Sequence, residues 1–300
     1  MLVQSYLQKQ LSILPEPIPG SIRDVEALKK LAALSQLTIT STTLLENGRP
    51  ALSQYFAVQD QTLATKREVL HIAGSLAATS RHLECQAIAR AAQESGLMLR
   101  EMETDILPDG VVGKLERTWY VLGTVSYLES EGIELGVSSQ ALCVQLENEG
   151  KEIIFLAQKQ PKRLLAIFAC TTPLHPEASQ VVGRLHKLGV DLILLTDQKT
   201  LIAKGIGRPL GIHLIHSELQ DTEKKEIMQS LSERNERVGF FANQRTLALV
   251  PESGFLLFQG KRLQPRASIL VRDLTHLPLQ IEQARRILAR ARKRFFWCKI

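Results

Sequence analysis

Several features that would assign a protein to a membrane or to the secretory pathway are missing from these 300 residues. The longest apolar runs, such as Leu164–Cys170 and Leu192–Leu195, are too short to cross a bilayer. Residues 1–15 lack the basic flank and the long apolar stretch of a signal peptide. These absences predict a cytoplasmic chain, and the length is typical of about two domains.

Paired cysteines and common catalytic loops are also missing. The four cysteines contain no C-x-x-C pair, so neither a disulfide framework nor a structural zinc site is expected. His213 and His216 stand at a ligand-like spacing, but no cysteine or carboxylate cluster accompanies them, which favours ordinary histidines. No G-x-S-x-G elbow and no Walker-type phosphate loop occurs. The sequence therefore predicts no metal site and no common hydrolase or P-loop mechanism.

Positive charge is concentrated at one end of the chain. The net charge is +6, yet residues 285–300 alone hold seven basic residues and no acid, which leaves −1 for residues 1–284. A basic surface spread over the fold would be needed for general nucleic-acid binding. Nucleic acid is therefore not expected as a partner.

Strands and helices alternate regularly through the second half of the chain. Strand-like runs at Leu164–Ala169, Val190–Leu195 and Val238–Phe241 are separated by helical patterns, which is typical of parallel strands with crossover helices. The short run Leu37–Thr40 is expected to join the same sheet from far away in sequence. We therefore predict an α/β, doubly wound parallel sheet formed by residues 1–50 and 166–300, with an inserted α+β domain at 51–165.

A series of short motifs follows this framework. In chain order they are Thr40–Glu46 (similar to D-K-T-G-T-L-T), Ser80–Glu84 (S-E-H-P-L), Pro108–Gly113 (G-x-G-V-x-G), Pro176–Ala178 (the end of R-P-E-A), Thr196–Lys199 (T-G-D-N) and Gly239–Thr246 (G-D-G-x-N-D-A-P). In this order they resemble the P-type cation ATPases, most closely the branch that exports heavy metals. The resemblance runs from about Ser21 to Trp297. It implies a haloacid-dehalogenase-like phosphorylation domain interrupted by a nucleotide-binding domain.

The resemblance also implies that the phosphoryl-transfer residues have been replaced. Family members phosphorylate a strand-end aspartate and bind Mg²⁺ with further aspartates, whereas this chain has Thr40, Phe240 and Gln244 at those positions. An alcohol needs an adjacent base to act as a nucleophile, and Mg²⁺ needs oxygen ligands. The phosphate contacts that remain are uncharged or cationic: Thr42, Thr196, Lys224 and Asn243.

The nucleotide-binding motifs of the inserted domain are altered as well. His82 is retained together with Gly110 and Gly113, but Ala77 replaces a family glutamate and Pro108 replaces the first glycine. Proline has a restricted backbone and lacks an N–H. The residues His82, Gly110 and Gly113 are the candidates for any nucleotide contact.

The basic C-terminal segment has two interpretations. It is either a solvated helix with Ile287, Leu288 and Ala291 turned inward, or a juxtamembrane element of the kind that the resemblance implies. In the second case its membrane-facing residues would be Arg290, Arg292, Arg294 and Trp297. The aromatic ending favours the second interpretation.

These observations favour a catalytically inactive P-type-ATPase-like protein that acts as an interaction or regulatory module. It would need no cofactor, and its expected partner is a protein or a membrane surface. One alternative is the cytoplasmic ATP-binding and phosphorylation portion of an atypical cation-transporting ATPase, which would use ATP and Mg²⁺ and could involve Asp197. Another is a nucleotide sensor that does not hydrolyse. The sequence leaves the oligomeric state open.

Overall fold

The computed structural model describes residues 2–12, 21–40, 49–58, 65–234 and 237–295. The chain folds as two compact units, one formed by Met1–Leu45 with Leu174–Ile300 and the other by Glu46–Pro173. Each unit has its own sheet and its own core. In sequence, the second unit follows the first strand of the first unit.

The first unit is built on a parallel sheet of six strands in the order β12-β11-β10-β1-β8-β9. Its elements are α1 (Leu2–Ser12), α2 (Val25–Ala33), β1 (Gln36–Thr40), α7 (Ala178–Lys187), β8 (Asp191–Leu195), α8 (Thr200–Gly207), β9 (Leu214–His216), α9 (Asp221–Arg234), β10 (Val238–Ala242), β11 (Phe255–Gln259), β12 (Ile269–Val271) and α10 (His276–Arg294). The predicted fold class is confirmed.

Strand β1 is central in this sheet because its side chains are buried on both faces. Leu37 and Ile39 belong to the core on one face, while Thr38 and Thr40 alternate onto the other face and are also buried. A parallel strand covered on both faces is expected to have few charges, as β1 does. The local pattern of β1 therefore specifies a strand that places Thr40 at its carboxyl end.

The second unit contains an antiparallel sheet in the order β2-β7-β6-β5-β4-β3. Its elements are β2 (Ala51–Ala57), α3 (Lys66–Ala77), α4 (Leu83–Glu94), β3 (Glu103–Leu107), β4 (Gly110–Leu115), β5 (Thr118–Gly123), α5 (Val125–Ser130), α6 (Val137–Asn148), β6 (Glu152–Gln158) and β7 (Arg163–Thr171). Helix α3 begins with a capping box, in which Thr65 and Glu68 bond each other's backbone N–H groups. The α+β character predicted for the insert is present.

One strand assignment made from the sequence is wrong. The run Leu164–Ala169 was expected in the parallel sheet, but it lies in β7, which pairs antiparallel with β2 and β6. The predicted boundary between residues 165 and 166 therefore cuts through a strand of the second unit. A fully apolar run looks the same in either sheet, because only its pairing partners distinguish the two cases.

Helix α10 packs its apolar side into the first unit. Ile287, Leu288 and Ala291 are buried, as the solvated-helix interpretation predicts. Arg285 donates hydrogen bonds to Ala32 O (3.0 Å), Leu34 O (2.9 Å) and Leu188 O. These carbonyls lie at the C-terminal ends of α2 and α7, where helix carbonyls lack intrahelical partners. Among the described residues, no helix combines the length and the apolar character that a membrane span requires.

Candidate functional site

The carboxyl ends of the central strands of the first unit form the candidate site. Parallel strands direct their carboxyl ends to one edge of the sheet, where α/β proteins bind ligands. Thr40 ends β1 and pairs with Leu195 at the end of β8. On the other side, Thr38 pairs with Phe240, and continuing this register by two residues sets Ala242, the end of β10, beside Thr40. Thr40 and Ala242 are both buried.

Thr196 directly follows β8 and is fully buried. Its backbone N–H donates to His216 O at 3.0 Å, and its carbonyl accepts from Leu219 N at 3.0 Å. Its hydroxyl accepts from Gln198 N at 3.2 Å and lies 3.4 Å from Asp197 Oδ1. Thr196 is therefore committed to the turn that joins β8 to α8, and the exposed carboxylate of Asp197 lies next to it.

Asn243 closes a tight turn after β10. Its Oδ1 accepts from Arg245 N at 2.9 Å and from Thr246 N at 3.2 Å, while its own N–H donates to Thr246 Oγ1 at 3.1 Å. Such side-chain-to-backbone bonds are typical of Asn in turns. The side-chain oxygen is thereby occupied by the turn, and the neighbouring Gln244 is exposed.

Lys224 lies on the buried side of α9, one turn before the buried Met228. Its side chain is 10% exposed, and Nζ lies 3.2 Å from Asp221 Oδ1, a carboxylate that is itself 73% exposed. The ammonium group is thus nearly withdrawn from solvent and has an acidic partner on its own helix. It is a cation in the first unit that could face an anion.

The structure corrects the placement of Phe240. The motif comparison set this residue at a metal-ligand position, but it lies two residues before the end of β10 and is buried in a core cluster with Ile193, Leu195 and Met228. The residue at the strand end is Ala242. The strand predicted from the sequence, Val238–Phe241, ended one residue too early to identify Ala242. Thr42, another predicted phosphate contact, lies outside the described residues.

The chemistry available at this edge follows from these positions. The residues that end the three central strands, Thr40, Leu195 and Ala242, are uncharged, and so are Thr196 and Asn243, which directly follow β8 and β10. Mg²⁺-assisted phosphoryl transfer needs carboxylates to hold the metal ion and, in acyl-phosphate chemistry, a carboxylate nucleophile. The nearest carboxylate in sequence to these strand ends, Asp197, points to solvent.

In the second unit, the structure brings His82 to the β3–β4 hairpin. His82 Nε2 lies 3.0 Å from Leu107 O, and Leu107 pairs with Gly110 across the two-residue turn. A Cβ at Gly110 would lie 2.6 Å from Leu122 O, and one at Gly113 would lie 2.6 Å from Leu76 Cδ2. Close packing within the unit therefore accounts for both glycines, and their role as nucleotide contacts stays a prediction.

Three of the four residues predicted to face a membrane are described by the structure. Arg290, Arg292 and Arg294 are exposed on α10, and the guanidinium of Arg294 lies 5.2 Å from the centre of the Tyr6 ring. Trp297 lies outside the described residues. Exposure is compatible with either interpretation of this helix.

Comparison with known proteins supports the same architecture. The family described as haloacid dehalogenase-like hydrolase matches residues 38–241, which is more than half of the chain. This chain belongs to the haloacid dehalogenase-like hydrolase family. The match begins within β1 and ends within β10, so it includes the inserted unit and the strand ends Thr40 and Leu195.

Within this haloacid dehalogenase-like family, the chain is similar to the cytoplasmic domains of heavy-metal P-type ATPases. It is 24% identical over 294 residues to the probable copper-transporting ATPase PacS of Synechocystis sp., covering 93% of this chain and 38% of that protein. It is 23% identical over 283 residues to the copper-exporting P-type ATPase B of Archaeoglobus fulgidus, covering 92% and 40%. The chain thus spans less than half the length of these relatives.

Two solved structures have the same fold. A zinc-transporting PIB-type ATPase in the E2.Pi state aligns with a TM-score of 0.76 at 20% identity, covering 97% of this chain and 47% of that one. The catalytic domain of the CPx-ATPase CopB-B, from a study of nucleotide binding, aligns with a TM-score of 0.62 at 17% identity, covering 88% and 94%. The predicted resemblance is confirmed at the level of fold and domain content.

Proposed function

We propose that this chain is a cytoplasmic, P-type-ATPase-like module that keeps the phosphorylation-type and nucleotide-binding-type units but does not form a phosphoenzyme. It would act through its surfaces as an interaction or regulatory unit, beside a related transporter or at a membrane. The observation that carries the proposal is the uncharged set Thr40, Leu195 and Ala242 at the ends of the three central strands.

The chemical reason is the absence of a competent acceptor at the end of β1. A carboxylate is nucleophilic at neutral pH without further help, whereas a threonine hydroxyl needs a base to remove its proton. Ala242 at the end of β10 offers no side-chain oxygen to Mg²⁺, and the side-chain oxygen of Asn243 is occupied by its own turn. Charge on the transferring phosphoryl group would therefore be poorly neutralised.

The test is incubation of the full chain with γ-labelled ATP and Mg²⁺, followed by acid quenching. We expect no labelled protein, while a catalytic domain of the same fold that retains its aspartate serves as the positive control. Hydroxylamine treatment separates an acyl phosphate, which is cleaved, from a threonyl phosphate, which resists. Either kind of label on this chain would disprove the proposal.

A second candidate is a working cytoplasmic portion of an atypical cation-transporting P-type ATPase. The similarity over 92–93% of the chain to copper-transporting relatives favours it. In that case Asp197 beside Thr196 would supply the carboxylate, and the labelled phosphoprotein would be lost in Asp197→Asn but kept in Asp191→Asn. Asp191 is an exposed aspartate at the opposite end of β8 and is the matched control.

Binding of nucleotide without transfer is tested separately by calorimetry with ATP, with and without Mg²⁺. The proposal of an interaction module predicts no saturable heat. Saturable binding that His82→Ala removes would instead favour a nucleotide sensor, since His82 lies at the hairpin turn of the second unit.

The exposed basic side of α10 is the part of the surface on which the proposed membrane contact depends. Arg290, Arg292 and Arg294 attract anionic headgroups by charge. Cosedimentation with anionic vesicles, compared with neutral vesicles, tests this contact. Equal recovery with both would exclude a membrane role for these arginines and leave a protein partner.

A further inference from the structure

A cluster of potential metal ligands lies in the first unit, apart from the strand-end site. His175, Glu177 and Asp273 each offer one ligand atom, and these atoms all lie within 4.8 Å of one another. His175 and Glu177 precede helix α7, whereas Asp273 follows β12, so the fold brings together segments that are far apart in sequence. Sequence reasoning missed this cluster, since nothing local connects the two segments.

We propose that His175, Glu177 and Asp273 form a binding site for a borderline divalent transition-metal ion such as Zn²⁺. The site is independent of the phosphoryl-transfer chemistry considered above. One imidazole and two carboxylates form a mixed nitrogen and oxygen set, which suits Zn²⁺, Ni²⁺ or Co²⁺. A site without thiolates is less suited to Cu⁺, and a site with an imidazole is less suited to Mg²⁺.

One pair of ligand atoms is close to the spacing that zinc requires, and all three ligand atoms lie within 4.8 Å of one another. The distance from His175 Nδ1 to Glu177 Oε2 is 3.8 Å. Two ligands of a tetrahedral zinc ion lie roughly 3.3–3.5 Å apart, given metal–ligand bonds of about 2.0–2.1 Å. His175 and Glu177 are 31% and 49% exposed in their side chains, so they can move by this amount and an ion can reach them.

The hydrogen bonds of the three ligand residues are local. His175 Nδ1 accepts from Glu177 N at 3.4 Å, a bond that a metal ion at Nδ1 would replace. Glu177 is the N-cap residue of α7, yet its side chain makes no capping hydrogen bond. Asp273 receives hydrogen bonds from Thr275 N at 2.8 Å and Thr275 Oγ1 at 2.6 Å, and both end on Oδ1. Thr275 therefore holds the carboxylate through Oδ1, as a residue that supports a metal ligand does.

The charge state of the cluster also suits a cation. Two carboxylates balance a divalent ion, and the imidazole binds in its neutral form.

The sequence around His175 contains a further indication. The R-P-E-A motif of the resembled family is matched here by His175 followed by Pro176, Glu177 and Ala178. Arginine stays protonated and offers no lone pair to a metal ion, whereas histidine is a common ligand. This chain therefore has a ligand residue where the motif has a residue that cannot bind a metal ion.

The full chain is titrated with Zn²⁺, and binding is measured by calorimetry. A second titration uses Co²⁺, and binding is measured by the visible absorption of the bound ion. We expect one binding event in the wild type that His175→Gln and Glu177→Gln both lack. Thr275→Val is expected to bind about 10–100-fold more weakly because the orienting hydrogen bond is lost. His213→Gln changes an exposed histidine outside the cluster and should bind as the wild type does.

Circular dichroism of each variant establishes that the chain is folded. The proposal fails if His175→Gln and Glu177→Gln bind Zn²⁺ with the stoichiometry and affinity of the wild type. It also fails if His213→Gln loses the same binding event, or if Mg²⁺ binds the wild type as tightly as Zn²⁺. Neither result depends on whether the chain forms a phosphoenzyme.

Discussion

At the residue scale, Thr40 is decisive because of its surroundings. It is 4% exposed, and its strand lies between β8 and β10. A hydroxyl tolerates this position, whereas an ionised carboxylate would lose its water on burial. Thr40 and its uncharged neighbours therefore suit the same buried environment.

Thr40→Asp alone is accordingly expected to give no phosphoenzyme with labelled ATP and Mg²⁺, because Ala242 and Asn243 supply no carboxylate for the metal ion. It is also expected to lower the thermal unfolding temperature, since a charge is buried. Thr40→Asn is the control for shape, because asparagine has the size of aspartate but carries no charge. Labelled Thr40→Asp protein would mean that the metal ligands lie elsewhere.

At the element scale, the packing around a helical glycine decides whether alanine at that position would stabilise or destabilise the helix. Gly74 in α3 faces α4, and a Cβ there would lie 2.5 Å from Ala92 Cβ and 3.0 Å from Leu99 Cδ2. Gly183 in α7 has no atom within 4 Å of the same position. The two glycines look alike in sequence, since each interrupts a helical pattern.

Gly183→Ala is therefore expected to stabilise its unit by about 0.5–1 kcal/mol, through the higher helix propensity of alanine. Gly74→Ala is expected to destabilise by about 1–3 kcal/mol, because a Cβ of Ala92 cannot move without its backbone. Urea unfolding is monitored by hydrogen exchange of the amides in α3 and in α7, so that the stability of each unit is measured separately. Effects of the same sign would contradict the packing argument.

One residue of the charged C-terminal segment, Arg285, links helix α10 to two neighbouring helices by hydrogen bonds. In sequence it is one of seven basic residues at the C-terminal end, but it donates to carbonyls at the ends of α2 and α7. The others that the structure describes on this helix after it, such as Arg290 and Arg292, are exposed.

Arg285→Met is expected to lower the free energy of unfolding by about 1.5–3 kcal/mol, since charged hydrogen bonds to helix-end carbonyls are lost. Arg290→Met, at an exposed position of the same helix, should stay within about 0.5 kcal/mol of the wild type. Thermal unfolding of both variants makes the comparison. Equal losses would mean that general charge, and not capping, stabilises α10.

At the scale of the whole molecule, the two units differ in how their chain is connected. The second unit is one continuous segment, and its first and last strands pair with each other, with Ala51 opposite Thr171. The first unit is built from two segments, which meet in the pairing of β1 with β8 and β10. A continuous segment whose ends are adjacent has the anatomy of an independent domain.

We expect residues 49–173 to fold on their own, with cooperative unfolding and dispersed amide resonances. Residues 51–165, cut at the boundary predicted from the sequence, should not fold, because most of β7 is removed from between β2 and β6. Both fragments are compared by circular dichroism and NMR. A folded shorter fragment would show that β7 is dispensable.

Local sequence was sufficient for the elements whose pattern is continuous. The strands β1, β8 and β10 were expected within a few residues of their observed bounds. Strands β11 and β12 were not anticipated, because each is short and is buried only through its neighbours in the sheet. Strand β7 was predicted from the sequence but was assigned to the parallel sheet, whereas it lies in the antiparallel sheet of the second unit.

The sequence by itself determined the parallel α/β class, the order of the motifs and the uncharged residue at position 40, since these depend on residue type and spacing along the chain. Only the tertiary structure decided which sheet receives β7, that Ala242 and not Phe240 ends β10 beside Thr40, and that Arg285 caps two helices. Only the tertiary structure showed that His175 lies near Asp273. Each of these depends on contacts between distant segments, and local periodicity does not specify such pairings.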